Sequence, residues 1–175
     1  TASADAPLKG LAVLLRAIAS LRSSYPDIRL TLVGRPKPGG DTEKLIASLG
    51  LGNVVESFKG ISHEEMVQKY ASASVAVVPS IYEGFGLPAV EAMACGVPLV
   101  STDGGALAEV VEDAGLVVPA GDSQALAAAI RQLFEDDQLR DDYASRGLSR
   151  AEQHFCWNRC AERMEAYYRE RIAAC

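Results

Sequence analysis

Residues 75–88 read VAVVPSIYEGFGLP. The run at 75–78 is almost wholly apolar, which is typical of a β-strand covered on both faces. Gly84 and Gly86 follow this run, and glycine permits turn conformations that other residues avoid. Pro88 suits the first turn of a helix, because the N–H that proline lacks would have no helical partner there. The stretch therefore predicts a buried strand, a turn and a helix in succession.

The same alternation of strand and helix extends in both directions from this stretch. Runs rich in β-formers predict strands at 28–33, 54–58, 75–78, 97–101 and 116–118. Apolar residues at helical spacing predict helices at 8–21, 45–49, 62–71, 87–95, 106–111, 123–135, 138–153 and from 157 onward. Ser62 and Glu65 have the capping-box spacing of a helix start. Alternating strands and helices imply βαβ units, so we predict one α/β domain over residues 1–175 with a parallel sheet and helices on both faces.

The first four residues, TASA, are compatible with a strand that runs directly into the first predicted helix. A free-standing domain rarely begins in this way. We therefore expect the chain to be a fragment of a longer protein.

The amino-acid composition argues against several classes of function. The 175 residues are 49% hydrophobic and 23% charged, which is the balance of an ordered soluble domain. A net charge of −6 argues against broad binding of nucleic acid or anionic membranes. No apolar run approaches the ~18 residues that span a bilayer, and no signal peptide is recognisable. The four cysteines lack zinc-type spacing and are expected to be reduced thiols of a cytoplasmic protein.

Two carboxylates flank the glycine-rich turn. Ligands of open α/β sheets bind outside the carboxyl ends of the strands, which places the 79–88 loop in a candidate site. The N-terminus of the following helix can bind an anion, and Glu83 and Glu91 can each accept two hydrogen bonds from a vicinal diol. A diphosphate between two diols describes a nucleotide sugar. The alternative, that Glu91 lies on an exposed helix and Glu83 in an ordinary loop, stays open on spacing alone.

Other loops at the same edge carry weaker signals. Lys9, at the start of the first helix, can bring a positive charge to the strand ends, although a solvated lysine is the simpler interpretation. Lys59 and Gly60 close another strand and can line a base pocket.

His63 and His154 have no nucleophile at motif spacing, so surface histidines are the simpler interpretation. Cys156 and Cys160, one helical turn apart with His154 nearby, could suggest a metal clip, but incidental thiols are the simpler interpretation and we predict no metal site.

Residues 83–100, EGFGLPAVEAMACGVPLV, strongly resemble the signature of retaining glycosyltransferases of family 4, the GT-B "glycosyl transferases group 1" set, in which seven residues separate two glutamates. Lys9-Gly10, Leu32-Val33-Gly34, Phe58-Lys59-Gly60, Gly104-Gly105 with Glu109, and Phe155-Cys156-Trp157 follow in the family's order. The match is to the C-terminal, donor-binding, Rossmann-like domain. It covers essentially this whole chain but only half of the family's usual length.

The resemblance implies a role for each matching residue. Glu83 would bind hydroxyls of the donor sugar, and Glu91 would bind the ribose. Backbone N–H groups of Phe85, Gly86 and Leu87 would hold the distal phosphate and the sugar.

The remaining matches concern the diphosphate and the base. Lys9 would bind the diphosphate, so Lys9 and Glu83 are the predicted catalytic pair. Lys59 and Gly60 would contact the base, and Gly34 would allow close approach beside the donor. The family's usual arginine upstream of the lysine is replaced by Ser3 or Ala4, and Arg35 is a candidate substitute.

The activity that this resemblance implies is retaining, metal-independent transfer of a hexose from a UDP- or GDP-sugar. The acceptor would be a carbohydrate or glycolipid held mainly by an N-terminal domain that these residues do not include, on a cytoplasmic enzyme that can be peripheral to the membrane. This chain alone would then transfer sugar weakly or not at all. A noncatalytic nucleotide-binding or interaction module of the same fold is the alternative. A dinucleotide oxidoreductase is disfavoured, because no Gly-X-Gly-X-X-Gly follows the first strand.

Overall fold

The computed structural model describes residues 6–173 and contains five strands and eight α-helices within them. The strands are β1 (Leu30–Val33), β2 (Val55–Phe58), β3 (Ala76–Val78), β4 (Leu99–Thr102) and β5 (Leu116–Val118). The helices are α1 (Leu11–Leu21), α2 (Asp41–Ser48), α3 (His63–Ala71), α4 (Leu87–Ala94), α5 (Leu107–Val111), α6 (Ser123–Glu135), α7 (Asp137–Arg150) and α8 (Trp157–Ala173). The strand expected at residues 1–4 lies outside the described residues.

The helix boundaries agree with the prediction at α3 and differ from it at α1 and α7. Ser62 and Glu65 form the predicted capping box at the start of α3, with the Ser62 N–H donating to the Glu65 carboxylate at 2.7 Å. The first helix begins three residues later than predicted, because Gly10 adopts a left-handed conformation (φ 67°) and separates a 3₁₀ turn (Pro7–Lys9) from α1. A π-helical turn (Ala151–Phe155) follows α7, where an uninterrupted helix to residue 153 was predicted.

All strand pairs are parallel, as predicted. β1 pairs with β2, and β3, β4 and β5 pair in that order. Within residues 6–173 these are two sheets, since β1 and β3 are not paired with each other. The boundaries differ little from the predicted ones. β4 begins two residues late, after Pro98, whose carbonyl accepts from the Ala76 N–H at 2.9 Å.

Two hydrophobic cores lie on opposite sides of β4. The α1–α6 core contains Leu32 and Val100 together with the buried faces of α1 and α6. The α4–α5 core contains Leu99 and Met93 together with the buried face of α5. Successive residues of a strand point to opposite faces, so the assignment of Leu99 and Val100 to different cores places helices on both faces. All four residues of β4 are buried.

Gly10 lets the chain before α1 approach the loop after β3. A Cβ built at Gly10 would lie 1.7 Å from the Pro79 carbonyl oxygen, and the positive φ there also favours glycine. Beside this contact, the Ile81 N–H donates to the Leu8 carbonyl at 2.8 Å. The Pro7–Lys9 turn is thereby held against the segment between β3 and α4.

Replacing Gly10 with alanine is expected to destabilise the protein by about 3 kcal/mol, because the variant combines left-handed strain with overpacking against backbone. Urea unfolding of Gly10→Ala measures the change. Gly52→Ala is the control, since Gly52 lacks a positive φ and its Cβ would meet nothing within 4 Å. Equal stability of the two variants would contradict the close contact.

Candidate functional site

The centre of the site is an ion pair between two segments far apart in sequence. The Lys9 Nζ lies 2.6 Å from the Glu83 Oε2, and the two side chains are only 28% and 15% exposed. The Ser80 hydroxyl donates to the same carboxylate oxygen at 3.2 Å. Partial burial weakens solvent screening, so the pair fixes both side chains more firmly than an exposed pair would.

The backbone of Glu83 is also held in place. Glu83 forms an isolated parallel bridge with Gly105, and the Ala106 N–H donates to the Glu83 carbonyl at 3.0 Å. A Cβ built at Gly105 would lie 2.3 Å from that carbonyl oxygen. Gly104 and Gly105 therefore allow the loop after β4 to pack directly against the predicted site loop.

Helix α4 directs its N-terminus toward the same loop. Gly86 is its N-cap, with φ 102°, and a Cβ there would lie 2.7 Å from the Leu107 Cδ2. The N–H groups in the first turn of a helix have no helical acceptors, so those of Gly86 and Leu87 can bind an anion. The neighbouring Phe85 is exposed and makes an edge-to-face contact with Phe155 at 5.8 Å between ring centroids.

Glu91 has a partner that the sequence analysis missed. The Tyr70 hydroxyl, at the end of α3, donates to the Glu91 Oε2 at 3.2 Å and lies 3.3 Å from the Pro88 carbonyl oxygen. Burial and the charge of Glu91 raise the pKa of the Tyr70 phenol far above its usual value, so it stays protonated at neutral pH. Sequence periodicity gave only the position of Tyr70 on a helix and not the packing of α3 against α4.

A cavity of about 770 Å³ lies between β1 and β3. Half of its lining residues belong to the two strands and their flanks, 28–33 and 72–79, and Lys9, Tyr70, Pro88 and Glu91 also line it. Lys9 and Glu91 both line this cavity, and Lys9 is paired with Glu83, which is not one of the lining residues. The carboxylates are held differently, since Glu83 has a cationic partner and Glu91 a neutral one.

The other predicted site residues lie at the ends of β1 and β2. Gly34 directly follows β1, and its N–H donates to the Phe58 carbonyl at 2.8 Å. Arg35, Lys59 and Gly60 are exposed. None of these four residues lines the cavity, so their predicted donor contacts remain predictions.

Residues 6–173 contain no cluster of metal ligands and no membrane-spanning helix. No group of three or more His, Cys, Asp or Glu side chains in that range is placed to hold a metal ion. No helix there is both long and apolar enough to cross a bilayer.

A double-mutant cycle with Lys9→Met and Glu83→Gln is expected to give a coupling of about 1 to 2 kcal/mol in the free energy of unfolding, because the pair is partly buried. The matched control is the exposed Arg159–Glu162 pair on α8, with side chains 57% and 61% exposed. Its coupling is expected to stay below about 0.5 kcal/mol. Equal couplings for the two pairs would contradict the partly buried arrangement.

The chain is similar to glycosyltransferases along nearly its whole length. The family model described as "Glycosyl transferases group 1" matches residues 2–150. An MMP alpha-(1->4)-mannosyltransferase of Mycolicibacterium hassiacum is 46% identical over 99% of this chain and 44% of its own length. A D-inositol 3-phosphate glycosyltransferase of Corynebacterium urealyticum is 39% identical over 93% of this chain and 40% of its own length. The chain thus spans less than half the length of these curated relatives.

Solved structures show the same likeness. A sucrose-phosphate synthase from Thermosynechococcus elongatus has a TM-score of 0.82 and 35% identity, over 97% of this chain and 44% of that one. HepE from Anabaena, solved in complex with UDP, has a TM-score of 0.80 and 30% identity, over 92% of this chain and 46% of that one. The parallel α/β architecture is accordingly that of GT-B glycosyltransferases. With the family model covering residues 2–150, this chain belongs to the glycosyl transferases group 1 family.

Proposed function

We propose that the chain is the donor-binding part of a hexosyltransferase that uses a UDP- or GDP-sugar and retains the configuration at the transferred carbon. The observation that carries the proposal is the Lys9–Glu83 pair beside the N-terminus of α4, the helix that also carries Glu91, in a member of this family. A nucleoside diphosphate sugar presents the complementary groups, namely a diphosphate and two polyols.

The diphosphate would lie between Lys9 and the start of α4. The Lys9 ammonium has three N–H donors, so it can keep its contact with Glu83 and still donate to a phosphate oxygen. The N–H groups of Gly86 and Leu87 add the positive end of the helix dipole. Phosphate binding would therefore extend an existing network instead of breaking it.

The two glutamates would bind hydroxyl groups on either side of the diphosphate. Glu83 lies within reach of Lys9 and is assigned the sugar hydroxyls. Glu91, farther along α4 and bonded to Tyr70, is assigned the ribose diol. Each carboxylate has lone pairs beyond those that its present partners occupy.

Transfer would proceed on one face of the sugar. The bond between the anomeric carbon and the phosphate oxygen breaks, and the acceptor oxygen bonds to the same face of that carbon. The acceptor proton passes to the departing phosphate. Lys9 and the α4 N-terminus stabilise the charge on the leaving diphosphate, and we propose that the reaction needs no metal ion.

Related proteins support a hexose donor. HepE was solved with UDP and with UDP-glucose, and two of the relatives named above are a mannosyltransferase and an inositol phosphate glycosyltransferase. These names support a hexose, a nucleotide donor and a carbohydrate or glycolipid acceptor for this chain. Cytoplasmic location, with peripheral membrane association, remains part of the proposal.

The gap between β1 and β3 supports a longer whole protein. Parallel strands lie about 4.8 Å apart, so one inserted strand that pairs with both would join the two sheets. We infer that such a strand comes from polypeptide outside residues 6–173, the part of the chain that the structure describes. Acceptor binding would belong to further N-terminal residues.

Calorimetric titration with UDP and with GDP tests the donor site. One of the two nucleotides is expected to bind, and Lys9→Met and Glu91→Gln are each expected to weaken that binding about tenfold or more, since each removes charge-assisted hydrogen bonds. Glu56→Gln on the exposed face of β2 is the charge-matched control and should bind as the unmodified chain does.

Failure of both nucleotides to bind the folded chain would contradict the donor site. Equal losses in all three variants would show a general loss of folded protein instead of a specific site. Binding without sugar transfer by the whole protein would favour the noncatalytic module.

Pairing with N-terminal polypeptide of the whole protein is expected to slow hydrogen exchange of the Thr31 and Val77 amides by about tenfold or more. Successive N–H groups of a strand point to opposite sides, and those of Leu30 and Ala76 already donate to Val54 and Pro98. Mass spectrometry of peptides measures the exchange, and peptides of α8 serve as the internal control. Unchanged exchange at both strands would contradict strand insertion.

A further inference from the structure

Tyr70, which was not among the predicted site residues, connects α3 to α4. Its hydroxyl has one proton and two acceptors nearby, the Glu91 Oε2 at 3.2 Å and the Pro88 carbonyl oxygen at 3.3 Å. Both acceptors belong to α4, the helix whose N-terminus borders the site. The contact therefore fixes the orientation of a carboxylate relative to the helix that carries it.

We propose that Tyr70 is a positioning residue for ribose recognition: it holds the Glu91 carboxylate in the orientation that accepts hydrogen bonds from the ribose diol. The inference rests on the proposed function, since it assigns the diol to Glu91. Tyr70 itself need not touch the nucleotide.

The hydrogen-bonding capacity of the carboxylate is sufficient for both partners. An ionised carboxylate offers about four acceptor positions, and Tyr70 uses one of them. Oε1 and the second lone pair of Oε2 remain for the two ribose hydroxyls. Glu91 is exposed, so ligand hydroxyls can reach it.

Positioning matters because a glutamate side chain has several rotatable bonds. Fixing such a side chain on binding costs entropy, and a side chain already held in the unliganded protein avoids much of that cost. The phenol is a suitable holder, because it donates a hydrogen bond without cancelling the negative charge that attracts the ribose hydroxyls.

The position of Tyr70 is itself fixed by its surroundings. The ring is half-buried and packs against the α4–α5 core. The preceding residue, Lys69, places its Nζ 3.7 Å from the Phe58 ring centroid, which ties the end of α3 to β2. Since the pKa of the Tyr70 phenol lies far above its usual value, the hydroxyl remains a donor at any pH used for binding assays.

The test compares two nucleotides in calorimetric titrations of the chain. UDP carries both ribose hydroxyls, and 2′,3′-dideoxyuridine 5′-diphosphate lacks them; the guanosine pair replaces them if GDP is the nucleotide that binds. In Tyr70→Phe, UDP affinity is expected to fall about fivefold, while affinity for the dideoxy nucleotide changes less than about 1.5-fold. A loss confined to the nucleotide with hydroxyls is a readout that general destabilisation would not produce.

Two further variants sharpen the comparison. Tyr143→Phe on α7 removes a hydroxyl from another half-buried tyrosine, which packs near Arg146 and outside the cavity, and it should leave both affinities unchanged. Adding Tyr70→Phe to Glu91→Gln should cause no further loss of UDP affinity beyond about 1.5-fold, because the carboxylate to be positioned is already gone.

The outcomes separate this inference from the proposed function. If the unmodified chain binds neither UDP nor GDP, or binds the ribose and dideoxy forms equally, the ribose role of Glu91 fails and the role of Tyr70 fails with it. If the unmodified chain prefers the ribose form and Tyr70→Phe keeps that preference unchanged, only the role of Tyr70 is overturned.

Discussion

The contact between the Pro7–Lys9 turn and the loop after β3 is the constraint on which the site depends. Lys9 and Glu83 are 74 residues apart in sequence, and their charges meet because Gly10 admits the Pro79 carbonyl and Leu8 accepts from Ile81. Parallel strands place their carboxyl ends at one edge, so loops from distant parts of the chain converge there. Without this contact, Lys9 would be a solvated lysine and Glu83 would lack its cationic partner.

This arrangement would let a protein of net charge −6 offer the proposed site for a diphosphate. Net charge acts over long distances and is screened by salt, whereas a bound anion responds mainly to the groups that it touches. At the proposed site those groups would be the Lys9 ammonium and the N–H dipoles at the start of α4. Glu83 neutralises Lys9 in the absence of a ligand, so no unpaired cation has to be maintained in a partly buried place.

The fold could be predicted from the sequence because the patterns that indicate it involve only neighbouring residues. The apolar run before Pro79, the alternation of strands and helices and the Ser62–Glu65 capping box all require only neighbouring residues, and each was confirmed. The start of α1 was misplaced because the left-handed turn at Gly10 depends on a tertiary approach to Pro79. The separation of β1 from β3 was also missed, since periodicity identifies strands but not their neighbours.

The candidate site likewise has a part that the sequence predicts and a part that depends on tertiary contacts. Spacing placed Glu83 and Glu91 on either side of a helix start, but the partners of the two carboxylates come from other elements and carry no sequence signal. Those partners differ in a way that suits two tasks. The cation beside Glu83 offsets carboxylate repulsion where an anionic diphosphate would approach. The neutral phenol beside Glu91 leaves the full negative charge in place where only hydroxyl donors would bind, so each glutamate is held without losing the property its proposed ligand requires.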